Sequence, residues 1–265
     1  MKKRVLFVPG LIVAAGLILG GVVHADNDSG GGQGNACRDL PSADALRGAL
    51  SAAQATGNGG FGLEMWASVL NRDGIVCAVV FSGNSRGDQW PGSRVISAQK
   101  ANTANAFSLP GLALSTANLY TAVQPGGSLF GLQESNAINT LVAYAGPASQ
   151  FGQNNDPMVG ERLGGINVFG GGLALYNSAG RLVGGLGVSG DSSCADHNIA
   201  WKVRSALNLD YVPSGVSGDG SRPDNIVYDI TPQAGQMPGV SASGWGHPAC
   251  SAAATGIAAG LPATK

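Results

Sequence analysis

Residues 173–208 read LALYNSAGRLVGGLGVSGDSSCADHNIAWKVRSALN. Two β-rich runs, 173–176 and 182–188, flank Asn177-Ser178-Ala179-Gly180, whose terminal glycine can take the positive φ that closes a hairpin. A glycine-rich bend follows, and then a helix. Ser193 and Asp196 have capping-box spacing at its start. Ile199, Val203, Ala206 and Leu207 fall on one face of it, with His197, Trp201 and Arg204 on the opposite face. The unit is hairpin, bend, helix.

An earlier stretch has the same form. Residues 65–70 and 75–81 flank Asn71-Arg72-Asp73-Gly74, again Asn-x-x-Gly, and a helical run begins at Arg94. Hairpins make antiparallel neighbours, so two such units predict an α+β fold with an antiparallel sheet and helices on its faces.

At the N-terminus, Lys2-Lys3-Arg4 precedes an apolar run over 5–23 that ends in Val23-His24-Ala25, the pattern of a signal peptide over residues 1–25. A retained anchor is the alternative, against which stand Pro9 and four glycines in the run. The chain is therefore expected to be exported, periplasmic or extracellular, with no membrane attachment after cleavage. Loss of the three basic residues takes the formal net charge from −1 to −4. A mildly acidic protein is a poor nucleic-acid binder, because that binding rests on neutralising phosphates.

The even count of cysteines, Cys37, Cys77, Cys194 and Cys250, favours two disulfides in an oxidising compartment. Three connectivities are open, and the expected one joins Cys37 to Cys77 and Cys194 to Cys250, pinning each extension to the core. Their spacing is not that of a zinc site.

Residues 26–41 form a Gly/Asn/Ser-rich leader expected to be flexible. Ser42 caps a helix whose Leu46, Ala49, Leu50 and Ala53 share a face, and Ser93 is placed to cap the helix over 94–107. In that second helix Ile96, Lys100, Thr103 and Phe107 are spaced i, i+4, i+7, i+11, which sets a lysine and a threonine on an apolar stripe. Either Lys100 snorkels and Thr103 bonds back to a helix carbonyl, or the two line a pocket. Residues 124–136 form a long glycine-punctuated loop in which Gly126 and Gly127 are placed to approach a ligand. Residues 145–162 read as a surface insertion and 209–265 as an irregular extension, with little core expected from 145–162, 215–231 and 255–265.

Three motifs are read as structure. Gly185-Leu186-Gly187-Val188-Ser189-Gly190 matches the dinucleotide fingerprint, but its strand is a hairpin arm and no βαβ unit follows. Gly83-Asn84-Ser85-Arg86-Gly87 matches a nucleophile elbow, but Trp90-Pro91 intervenes before the helix. Of the histidines beyond the leader, His197 reads as a capping residue or an iron ligand, and His247 as a turn residue. There is no C-x-x-C-H for covalent haem attachment.

Residues 69–74, the Lys-Ala-Asn-Thr-Ala-Asn-Ala-Phe run at 100–107, the loop at 125–136, Gly164-Gly165-Ile166 and the segment 184–190 occur in an order that resembles the GlcG/HbpS-like, haem-degrading family over 42–208. The resemblance implies a profilin-like α/β/α sandwich on a five-stranded antiparallel sheet, a homo-oligomer, and non-covalent binding of haem or another tetrapyrrole. It points to a ligand site with Lys100 facing an anionic group such as a propionate, Thr103, Gly126 and Gly127 beside it, and His197 as a neighbour. The rival expectations are a haem-degrading or haem-dependent redox enzyme, and an extracellular structural or sensor-partner module.

Overall fold

The structure, a computed structural model, describes residues 36–265; the signal-peptide stretch 1–25 and residues 26–35 of the leader lie outside the described residues. Two hairpins build the sheet. Strands β1 (Trp66–Asn71) and β2 (Val76–Phe81) form the first, and β3 (Gly172–Tyr176) and β4 (Leu182–Ser189) the second. The order is β2-β1-β4-β3, all antiparallel, with β1 and β4 meeting in the middle. The two turns are built alike. Asn71 Oδ1 accepts from the N–H groups of Asp73 and Ile75, Asn177 Oδ1 from those of Ala179 and Arg181, and Gly74 and Gly180 close the turns at φ of 77° and 69°.

The main sheet has four strands, not five. Where a fifth would pair with β2, residues 160–162 supply isolated bonds: Val76 N–H to Glu161 C=O at 2.9 Å and Gly160 N–H to Val76 C=O at 2.8 Å. The far edge is treated similarly, with Tyr176 N–H donating to Leu209 C=O and Thr116 Oγ1 accepting from Gly172 N–H.

Four helices cover the faces: α1 (Ala43–Gln54), α2 (Ser93–Phe107), α3 (Ser193–Ala206) and α4 (Ala252–Ala259). Leu46, Leu50 and Ala53 of α1 and Ile199, Ala200 and Val203 of α3 pack with Ala67, Val69, Leu186 and Val188 on one face. Each such leucine contributes roughly 1.5–3 kcal/mol of burial. Helix α2 covers the other face, setting Val95, Ala98 and Ala101 against Trp66, Leu70 and Val79. It lies close because β4 presents glycine there: a Cβ on Gly185 would strike the backbone of Ala101, and one on Gly187 the backbone of Ser97. The dinucleotide-like glycines are thus a bed for a helix.

The caps differ from the expected ones in two places. Ser42 caps α1 as read, its side chain accepting from Ala45 N–H. For α3 the cap is Ser192, not Ser193, and Asp196 accepts from Asp191 N–H instead of completing a capping box. Helix α2 begins at Ser93 behind Gly92, with no side-chain cap.

Both stretches, expected to contribute little core, contribute to it. Residues 145–162 place Met158 among Trp66, Phe81 and Leu163, and Asp156 pairs in the interior with Arg94. The segment 209–265 contains a ribbon of β5 (Ile230–Gln233) and β6 (Gln236–Ser241), and α4 sets Ala254 and Ala258 into the main core with Ile226 and Leu261. Short alanine-rich and glycine-interrupted runs hide this from periodicity. The outer face of α3 is consequently buried too. Asn198 donates to Ala254 C=O, Trp201 Nε1 to Pro262 C=O, and Arg204 forms a two-point pair with Asp224 at 2.5 and 2.8 Å.

The disulfides are Cys37–Cys77 and Cys194–Cys250, as expected. The first ties the end of the leader to β2, helped by Asn71 Nδ2 donating to Ala36 C=O. The second fastens the C-terminal segment to the start of α3.

Candidate functional site

The predicted stripe on α2 is closed from both sides. Lys100, 1% exposed, donates to Asp196 Oδ2 at 2.6 Å and to Val188 C=O at 3.1 Å. Burial lowers the Lys100 ammonium against the pull of the Asp196 carboxylate. Burial likewise raises Asp196 to about 6, opposed by the Lys100 charge and its hydrogen bond. Thr103 bonds back to Gln99 C=O at 2.8 Å and accepts from Asn167 N–H at 2.9 Å. The hydroxyl therefore fastens the segment after Ile166 to α2.

His197 lies under the same strip of chain, since a Cβ on Gly170 would sit 3.1 Å from the His197 Cβ and one on Gly171 3.3 Å from Lys100 Nζ. The structure thus brings Lys100, Thr103 and His197 together but leaves no opening there. His197 is fully buried. Asn225 gives its amide N–H to Ala258 C=O, which leaves its Oδ1 3.1 Å from His197 Nε2, and the Ile226 N–H donates to both, at 3.1 Å to Nε2 and 2.9 Å to Oδ1. Nδ1 of His197 has no hydrogen-bond partner. Burial pushes this imidazole down to about 4, so it is neutral at pH 7. His247 is closed in as well: Nδ1–H donates to Pro248 C=O at 2.7 Å and Nε2 accepts from the Ser193 hydroxyl at 2.8 Å. Burial lowers it too to about 4.

Gly126 and Gly127 serve the chain itself. Gly126 turns at φ of 85°, and a Cβ on Gly127 would meet the Ala122 carbonyl. Gly127 N–H also donates to Gln124 C=O. The Ser85 motif is a turn as read, with Asp88 accepting from the N–H groups of Asn84 and Ser85.

An open site lies elsewhere, at the start of α2. A cleft of about 230 Å3 is lined by Trp66, Arg86, Arg94, Tyr144 and Phe151, with Pro91 and Ala148 at its rim. Its back wall is built from buried parts. Arg94 pairs with Asp156 through Nε at 2.9 Å, donates to Ala143 C=O at 2.8 Å, and stacks 3.7 Å from the Phe151 ring centroid. Trp66 is buried, edge-on to Phe81, and its Nε1–H has no hydrogen-bond partner. An unpaired buried donor costs about 1–3 kcal/mol. Arg86 and Tyr144 are exposed at the mouth. Sequence reading missed this set because a third of it comes from residues 144–151, which show no periodicity; the one visible signal was the aromatic and cationic content around Trp90-Pro91.

Among the described residues no group of three or more His, Cys, Asp or Glu side chains is placed to hold a metal ion, and no helix is long and apolar enough to cross a membrane. The fold is an α+β domain with one sandwiched sheet and an aromatic, cationic cleft at the start of α2. Residues 42–204 match the family described as haem degrading protein HbpS-like, and the chain belongs to that family. Among solved structures it is similar to a complex of PduOC with heme (23% identity, 63% of this chain and 91% of that one, TM-score 0.44). It is similar also to the Klebsiella pneumoniae protein ORFY (22%, 63% and 90%, TM-score 0.42) and to HbpS (17%, 63% and 89%, TM-score 0.38). No curated protein matches it in sequence.

Proposed function

We propose that this chain is an exported protein that binds haem or a related tetrapyrrole non-covalently, in the cleft of Trp66, Arg86, Arg94, Tyr144 and Phe151. Membership in the HbpS-like family supplies the ligand class, and the cleft is the observation that carries the reading. Its aromatic walls suit a flat apolar ring, and the exposed Arg86 guanidinium suits a carboxylate. The predicted residues Lys100, Thr103 and His197 do not fit such a group, because each is buried and the polar atoms of Lys100 and Thr103 are spent within the chain. At about 230 Å3 the cleft is smaller than the roughly 300–1,000 Å3 of an enclosing pocket, so it holds one edge of a macrocycle. The two disulfides support an oxidising compartment.

Titration of the mature protein with haem tests this. A Soret shift saturating at micromolar haem is expected, and its absence would overturn the reading. Loss of the Soret band with bilin formation on adding ascorbate would extend the reading to a haem-degrading enzyme.

A further inference from the structure

We propose that a second cleft, between the two hairpin turns, binds a phosphate group through Arg38, Arg72 and Arg181, at a site independent of the haem reading above. The topology gathers these residues. Strand β1 runs antiparallel to β4 with Asn71 opposite Gly184, so the turn that follows β1 lies beside the turn that leads into β4. Arg72 belongs to the first turn and Arg181 ends the second. Arg38 comes from far along the chain. There the Cys37–Cys77 disulfide and the bond from Asn71 Nδ2 to Ala36 C=O at 3.1 Å hold the end of the leader beside the first turn. The cleft measures about 240 Å3, and the buried residues Leu182 and Val183 form part of its lining.

The cations of this cleft are only partly satisfied. Arg72 donates through Nη1 to the carbonyl of Asn105 and, at 2.6 Å, to its side-chain oxygen, both neutral acceptors. Partial burial depresses the Arg72 guanidinium, opposed by Tyr176 and Asp73. Arg181 donates through Nη2 to Asp39 Oδ2 at 2.7 Å, and Arg38 Nε stands 3.9 Å from Asp39 Oδ1. Among the described residues, Nε and Nη2 of Arg72 and Nε and Nη1 of Arg181 have no acceptor within hydrogen-bonding distance. Three guanidinium groups against the carboxylates of Asp39 and Asp73 leave the lining with one net positive charge. Asp39 already shows how an oxyanion is held here, with its two oxygens divided between two arginines. Planar forks arriving from three separate segments offer donors in more directions than the two oxygens of a carboxylate can use. A phosphate group, with its tetrahedral set of oxygens, can accept from all three.

The test is calorimetric titration of the mature protein with inorganic phosphate at fixed ionic strength, alongside Arg181→Gln and Asp39→Asn. Both side chains are exposed, so both variants are expected to fold as the wild type does. Saturable binding with a Kd of about 1 mM or tighter is expected, weakened about fivefold by Arg181→Gln. Asp39→Asn should tighten it, because that change frees Arg181 Nη2 and removes an opposing charge. Phenyl phosphate titrated in parallel separates the sources of the group: equal affinity identifies the free anion, and tighter binding identifies a phosphate carried on an organic molecule. No saturable heat at about 10 mM phosphate would overturn the proposal. So would wild-type affinity in Arg181→Gln, or acetate binding as tightly as phosphate.

Discussion

The Lys100 ammonium lies 2.6 Å from the Asp196 carboxylate, joining a helix on one face of the sheet to a helix on the other around the end of β4. Both groups are buried, and burial shifts each toward its neutral form against the attraction between them. The pair is therefore matched and costly to break singly.

Lys100→Met deletes the cation and leaves Asp196 alone in the interior. A stability loss of about 3–5 kcal/mol at pH 7 is expected, with haem affinity unchanged. The lost positive charge also lets Asp196 titrate above about 6, and a carboxyl raised in the folded state destabilises as pH rises through that value. Denaturant unfolding should show the variant recovering part of its deficit at pH 5. An unchanged stability with weakened haem binding would return the ligand site to α2.

Acid should weaken the wild type between pH 6.5 and 4. His197 and His247 are both depressed to about 4, so below 6.5 the unfolded chain takes up two protons that the folded one refuses, and stability falls as pH falls. Asp196 works the other way, since the folded chain protonates it from about 6 downward, ahead of the unfolded one. The net difference is about one proton, a slope of about 1.4 kcal/mol per pH unit at most. If the imidazoles were solvated, Asp196 alone would remain and denaturation midpoints would rise toward acid across this range instead of falling.

Gly187→Ala places a methyl group against the backbone of Ser97 and Ala101. The helix cannot retreat from one residue without lifting Ala98 and Ala101 off the sheet, so a loss of about 1–3 kcal/mol or more is expected in thermal or denaturant unfolding. A neutral result would mean that α2 is less closely seated than described.

Thiol labelling of the unfolded, unreduced protein should detect no free cysteine. Replacing Cys194 and Cys250 together with serine should cost about 2–4 kcal/mol, the usual scale for a bond closing a loop of this length. The segment should nevertheless stay docked at neutral pH, because Arg204–Asp224 and Trp201–Pro262 hold it independently; rapid proteolysis after residue 209 in the double variant would contradict this.

Local signals carried the sheet and its hairpins. Asn-x-x-Gly turns, β-rich runs and the stripe of α1 each reflect forces acting within a few residues, and the observed hairpins match them. The disulfide pairing was legible from compartment and position. The site was not. Lys100 and Asp196 are 96 residues apart and Arg94 and Asp156 are 62 apart, so nothing local announces either pair. Lys100 stood out as anomalous, and the anomaly was real, but its partner was inside the chain. Asp196 was misassigned because capping spacing is satisfied by any short polar residue three positions on, while the actual cap sits one residue earlier. The C-terminal helix escaped notice because alanine at nearly every position gives no apolar stripe to detect.

Both lateral borders of the four-stranded sheet are already spoken for. On β2, Val76 bonds to residues 160–161 and the Phe81 carbonyl accepts from Arg47; on β3, Gly172 is met by Thr116, Ala174 by Arg204, and Tyr176 by Leu209. A sheet finished in this way offers poor footing for a visiting strand, whether from another copy or from an unfolded neighbour. Copies of this chain that associate are therefore not expected to do so by extending the four-stranded sheet, which is guarded against open-ended growth along its hydrogen-bonding direction.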